Sequence, residues 1–219
     1  MDLIIDTSSE KLQVILNGKT IQNNQNTNTK HLKNLLPEID EILKNQKCLL
    51  KDVKTFSVVL GPGSFTGVRI GVSTIKAFSN VFPEAKLIGI NMFELLSNVI
   101  CKAIKPKSDF VIIIKSTATK FYFALSNKDG ILKEQKLLTT EELQKYVSEN
   151  KTSVFAYNFQ GDIENVVSTI IDLTVEDYVS FVENKKSKKD FITENDLKPI
   201  YLALSQAEEE LLKRQAKND

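Results

Sequence analysis

The run Gly61-Pro62-Gly63-Ser64-Phe65-Thr66-Gly67-Val68-Arg69-Ile70-Gly71 constrains this chain more than any other stretch. Ahead of it, Thr55-Phe56-Ser57-Val58-Val59-Leu60 is short, apolar and rich in β-branched and aromatic residues, which reads as a buried strand. Gly61, Pro62 and Gly63 stop that strand in a tight turn, because glycine tolerates positive φ and proline fixes its own. Ser64 or Thr66 then caps a helix reaching Phe82, its hydroxyl accepting from a free N-terminal N–H. Gly67 and Gly71 fall one turn apart inside this helix, where each lowers helix propensity by ~1 kcal/mol. Close approach of another backbone (helix, loop or phosphate) is the compensation such a pair calls for.

Three familiar chemistries fail at this loop. A P-loop requires G-x-x-x-x-G-K-[ST], whereas Gly61 and Gly67 are separated by five residues and Val68-Arg69 follows. A dinucleotide fingerprint requires G-x-G-x-x-G, and Gly61, Gly63 and Gly67 are one residue too long for it. Its acidic partner is also missing, since the next strand, Lys86 to Ile90, ends at Asn91. A serine elbow requires G-x-S-x-G, and Ser64 lacks the final glycine. What remains is a helix amino terminus able to hold an anion, or a hinge for close partner packing. Arg69 adds a charged contact to such an interface or sits on a solvent-facing turn. His31 is the only histidine, so H-E-x-x-H is impossible, and Cys48 and Cys101 have no metal spacing. No metal site is expected.

Composition narrows the class. Lys and Arg number 29 against 28 Asp and Glu, a net charge of +1, which is not the basic excess of a typical nucleic-acid binder. No apolar run approaches the ~20 residues of a membrane span, and the amino terminus does not read as a leader, so a cytoplasmic protein is expected. The 219 residues suffice for one large domain or two small ones. The polar break at Lys105-Pro106-Lys107 suggests two, 1–105 and 106–219.

Leu3-Ile4-Ile5 reads as a strand running into Asp6-Thr7-Ser8-Ser9, and Asn17-Gly18 marks a primed hairpin turn between two further strands. Asp6, Thr7 and Ser8 either face a nucleotide phosphate or simply satisfy the turn. After an asparagine-rich connector at 23–28, Leu32, Leu35, Leu36, Ile39, Ile42 and Leu43 form one helical stripe, with Pro37 bending it or marking its effective start. Asn91 caps a helix carrying Phe93, Leu95, Leu96, Val99 and Ile100. In the second half, strands are expected at 110–114, 121–125, 131–138 and 154–157, with helices from Thr140 and from Ile163 to Ile171. Asn184 to Lys189 reads as a flexible basic run, either a solvated loop or a phosphate-contacting arm, and 205–212 as a tail helix.

The glycine run, the segment K-H-L-K-N-L-L-P-E-I-D-E-I-L and the closing Pro199-Ile200-Tyr201-Leu202 together resemble the TsaB (YeaZ) family. The D-T-S-S hairpin resembles the opening of the actin-like ATPase superfamily. The resemblance implies an α/β chain of the actin-like (ASKHA, ribonuclease H-like) fold, with two related domains, the second reduced. It implies a non-catalytic subunit of tRNA threonylcarbamoyladenosine synthesis that binds TsaD, with the TsaE ATPase joining and tRNA reached through the complex. Docking would use the leucine stripe together with Arg69, Ile70, Ser73, Thr74, Ala77 and Phe78. The same helices would support a homodimer when TsaD is absent. No cofactor would be held tightly by this chain alone, with ATP or ADP confined to the surface shared with TsaD. Before Tyr122 the family's D-A-R is replaced by Lys115-Ser116-Thr117. The alternatives are an independent actin-fold ATPase or kinase using Asp6 and the glycine loop, or a peptidase, for which one histidine and no serine elbow leave little chemistry.

Overall fold

The computed structural model describes residues 1–20, 31–159 and 161–202, with the side chains of residues 31 and 32 left aside. The connector at 23–28 and the tail helix expected at 205–212 lie outside the described residues. The first sheet has the order β3-β2-β1-β4-β5. It is built from β1 (Asp2–Asp6), β2 (Gln13–Leu16), β3 (Lys19–Thr20), β4 (Thr55–Gly61) and β5 (Lys86–Asn91). Asn17 and Gly18 turn β2 into β3 with φ of 48° and 74°, the double positive φ of the primed turn. β1 pairs antiparallel with β2 and parallel with β4, which pairs parallel with β5. Parallel neighbours need long crossovers, and α1 (His31–Asn45) and α2 (Phe65–Val81) supply them. Pro37 lies inside α1 rather than at its start.

The second sheet repeats the plan in the order β10-β9-β6-β7-β8. Its strands are β6 (Phe110–Lys115), β7 (Lys120–Ser126), β8 (Leu132–Thr139), β9 (Ser153–Tyr157) and β10 (Ser168–Ile171). A three-strand meander again leads through a helix, α4 (Thr140–Asn150), to a parallel strand. This half is reduced because β9 reaches β10 through 158–167 with no helix among the described residues. The helix expected from Ile163 to Ile171 is therefore wrong. A bridge pairs Ile163 with Val166, and the β-branched run Val166 to Ile171 feeds the edge strand β10.

Two further helices tie the halves together. α3 (Met92–Ala103) and α5 (Val175–Ser187) share one apolar cluster with Ile4, Val59 and Ile88 of the first sheet and Phe110, Ile112 and Phe155 of the second. The opposite face of the first sheet packs on α1 and α2, and that of the second on Leu143 of α4. The chain after α5 returns to the first sheet, where Ile192 bridges Leu87 and the Ile200 amide donates to the Leu60 carbonyl at 2.7 Å. Sheet membership thus changes between Asn91 and Phe110, while the core and the chain's last described stretch span both halves.

The basic run is also corrected. Asn184 to Ser187 complete α5, and its two lysines, Lys185 and Lys186, are paired rather than free. Lys185 lies 3.2 Å from Glu94 and 2.8 Å from Asp190, and Lys186 lies 2.7 Å from Asp2 and 2.9 Å from Glu183. Burial disfavours the Lys185 charge, but Asp190 and Glu94 outweigh it and raise its pKa. No helix among the described residues is long and apolar enough to cross a membrane.

Candidate functional site

The glycine loop and the turn after β1 are packed into each other. Ser64 is the N-cap of α2, its Oγ accepting from the Gly67 amide at 3.2 Å, while its own amide donates to the Ser8 carbonyl at 2.7 Å. A Cβ at Gly63 would overlap the Ser8 carbonyl, and one at Gly67 the Thr7 carbonyl. At Gly71 the nearest obstacle would be Thr7 Oγ1, a buried hydroxyl without a hydrogen-bond partner. The two helical glycines therefore admit the Asp6–Ser8 turn of the same chain, Gly67 its backbone and Gly71 the Thr7 side chain. Thr66, the other candidate cap, is exposed.

Asp6 is buried at the end of β1 with both carboxylate oxygens engaged. The Ser8 amide donates to Oδ1 at 2.7 Å, closing the turn, and Tyr178 Oη of α5 donates to Oδ2 at 2.6 Å. Tyr157 of β9 is hydrogen-bonded to Tyr178 and to Ser9. Burial first, and then the Asp6 charge, push both tyrosine pKa values well above their ordinary value. From β7, Tyr122 Oη donates to the Gly63 carbonyl at 3.3 Å. Three tyrosines of the second half thus converge on the first-half turn. Sequence reasoning passed over Tyr157 and Tyr178: Tyr157 ends an apolar strand, and the helix carrying Tyr178 was not read. Lys115-Ser116-Thr117 forms the β6–β7 turn, with the Ser116 and Thr117 amides both donating to the Lys120 carbonyl. Lys115 Nζ lies 5.4 Å from the centre of the Phe159 ring.

The expected docking residues separate into two layers. Leu35, Ile39, Ile42 and Leu43 are buried against Val68, Val72 and Ile75 beneath α1 and α2. On the outside, Leu36 is 57% exposed and Val81 67%, with Arg69, Ser73 and Ala77 exposed beside half-buried Ile70, Thr74 and Phe78. The Leu32 side chain lies outside the described residues. Arg69 is held in place: its Nε donates to Tyr201 Oη at 2.7 Å and its guanidinium stacks 3.9 Å over the Phe65 ring. Phe65 and Tyr201 are themselves in contact, their centroids 5.1 Å apart. Among the described residues no three His, Cys, Asp or Glu side chains are grouped to hold a metal ion.

Two repeated sheets with meander-then-crossover order, the second shortened, define a two-lobed actin-like, ribonuclease H-like protein. A family model described as TsaD, tRNA N6-adenosine threonylcarbamoyltransferase, matches residues 19–146, more than half of the chain. A curated relative from Haemophilus influenzae, tRNA threonylcarbamoyladenosine biosynthesis protein TsaB, is 44% identical over 79 residues. That alignment covers 35% of this chain and only 34% of the relative. The protein of the same name from Buchnera aphidicola subsp. Acyrthosiphon pisum is 27% identical over 187 residues, covering 78% of this chain and 83% of that one. The solved structure of YeaZ from Pseudomonas aeruginosa superposes with a TM-score of 0.70 at 19% identity, covering 92% of this chain and 99% of that one. The chain belongs to this TsaD-related family, on its TsaB (YeaZ) side.

Proposed function

We propose that this chain takes part in threonylcarbamoyladenosine synthesis on tRNA as a cytoplasmic scaffold subunit. It docks a TsaD-type transferase through the outer face of α1 and α2 and performs no chemistry itself. The partner moves a threonylcarbamoyl group from its adenylate to the adenosine beside the anticodon, with the TsaE ATPase joining the assembly. Any ATP or ADP lies at the surface shared with TsaD, and the same helices pair two copies of this chain when TsaD is absent.

The observation that carries this reading is the closure of the glycine loop. Gly63 and Gly67 are occupied by the Ser8 and Thr7 carbonyls, and the Asp6 carboxylate by Ser8 and Tyr178, so the anion cradle is filled by the chain's own groups. By contrast the outer α1–α2 face carries Leu36, Val81 and the small residues Ser73 and Ala77, which let a partner helix approach closely.

The test is light scattering during gel filtration of the chain, alone and mixed with TsaD from the same source. Wild type is compared with Leu36→Glu and Ala77→Glu, both at solvent-facing positions. A wild-type complex lost in the folded variants supports the reading. No wild-type complex at micromolar concentrations refutes it, and ATP hydrolysis by the isolated chain would favour the independent ATPase instead.

A further inference from the structure

The second half carries a charged concavity that the proposed docking face does not use. It has a volume of about 840 Å³, is open to solvent, and is lined by Lys107, Lys128, Lys133 and Lys151 together with Asp109 and Asp129. The lysines come from four separate places: the link before β6, the turn between β7 and β8, β8 itself, and the link after α4. All four are exposed. Only Lys133 has a carboxylate within ion-pair distance among the described residues, Asp109 at 2.6 Å. Lys151 has a local reason for its position, because it closes the carbonyl end of α4, where a cation is favoured. Lys107 and Lys128 have none.

The chain's 29 Lys and Arg are nearly balanced by 28 Asp and Glu, so a local excess of positive charge is set by where the two signs are placed. Four lysines against two aspartates leave this concave wall with an excess of positive charge, and a cleft with an excess of one sign raises the local potential by focusing the field. Lysines act as point charges, without the two-pronged geometry with which arginine selects a single carboxylate or phosphate. Four of them spread around an open groove suit a ligand with repeated phosphates better than one small anion. We infer that this concavity is an RNA-binding surface, holding the phosphate backbone of the tRNA independently of sequence through Lys107, Lys128 and Lys151. The inference rests on the tRNA-modification reading above for its choice of polyanion.

The test measures fluorescence anisotropy of a labelled, unmodified tRNA transcript titrated with the full-length chain, alone and with TsaD from the same source. Wild type is compared with Lys107→Ala/Lys128→Ala/Lys151→Ala and with a control triple, Lys11→Ala/Lys19→Ala/Lys51→Ala, of exposed lysines in the first half. At ~0.1 M salt the first triple should weaken binding about tenfold or more and make the log–log salt slope shallower by about 2–3. The control should change neither. Equal loss in both triples, or none in the first, overturns the inference, as does a wild type that binds no tRNA in either setting. Loss of TsaD binding in the first triple with tRNA binding retained would make the groove a protein contact and also overturn it. If the chain binds tRNA through these lysines but never binds TsaD, the scaffold reading fails while the RNA surface stands.

Discussion

Gly67→Ala sets two effects of opposite sign against each other, and the structure decides between them. Alanine in a helix interior is favoured over glycine by ~1 kcal/mol, so propensity alone predicts a more stable protein. The new Cβ, however, would fall on the Thr7 carbonyl oxygen. That oxygen belongs to main chain that cannot swing aside. The turn is closed by the Ser8 amide on Asp6 and by the Ser64 amide on the Ser8 carbonyl, each at 2.7 Å. Forcing a methyl into a packed site costs about 1–3 kcal/mol, more where backbone must move, so a net loss of ~1–2 kcal/mol is expected. At about 2–4 °C per kcal/mol for a chain of this size, the midpoint should fall by about 2–8 °C. Gly71→Ala isolates the contact, because it shares the propensity gain but meets only side-chain atoms, Thr7 Oγ1 and Val58 Cγ2. It should be the milder of the two. The assay is thermal unfolding followed by circular dichroism, with Ser73→Ala on the exposed side of the same helix as control. A Gly67→Ala protein as stable as wild type, or more so, would refute the claim that the Asp6–Ser8 turn fills the glycine loop.

Other expectations follow from the same geometry. Tyr178→Phe removes the donor to a buried carboxylate and should cost about 1–3 kcal/mol in a denaturant titration. An unchanged midpoint would mean that Asp6 does not depend on this bond. Tyr157 and Tyr178 have folded pKa values raised above the unfolded value of about 10, so their contribution is complete below pH ~10 and is lost as pH rises beyond it. Each tyrosine should steepen that loss by up to about 1.4 kcal/mol per pH unit, and the raised pKa of Lys185 acts in the same direction. The double Phe variant should fall less steeply in alkali, and parallel curves would contradict the assignment. Leu35→Glu, which places a charge at a buried position of α1, should unfold the protein or cost about 3–5 kcal/mol, whereas Leu36→Glu should leave circular dichroism and midpoint nearly unchanged.

What the sequence made legible was local chemistry. Asn17-Gly18 can form few structures other than its primed turn, and Gly61 to Ser64 announces strand, turn and cap within four residues. Elements decided by partners far along the chain were misread. Ile163 to Ile171 has enough apolar residues for a helix, but its β-branched density suits the exposed edge beside β9. The run at 184–189 looked mobile because it reads as a block of like charge, yet Lys186 pairs with Asp2 across 184 residues of sequence. α5 did carry a signal. Thr174 and Asp177 form a capping box, and Tyr178, Phe181 and Val182 follow at helical spacing. The leucine stripe of α1 shows the remaining limit. One amphipathic pattern contains both core and outer face, and only the sheet beneath assigns Leu35 to one and Leu36 to the other.

The same limit governs the turn at Asp6. An aspartate, two hydroxyls and a glycine loop have the composition of a phosphate site, and composition alone does not say what faces them. Here the facing groups are main-chain carbonyls and tyrosine hydroxyls from β7, β9 and α5. A phosphate at this point would have to displace the Thr7 and Ser8 carbonyls, break the Tyr178 bond and sit beside a buried carboxylate. Like charges at such a distance in a poorly solvated site are strongly disfavoured. Anion binding and closure of the two halves are therefore competing uses of one place in the fold. With closure in possession, the glycines bring α2 down onto β1 and hold its amino terminus against both halves. A helix anchored in this way presents a fixed outer surface, and a fixed surface loses less entropy on docking a partner than a mobile one.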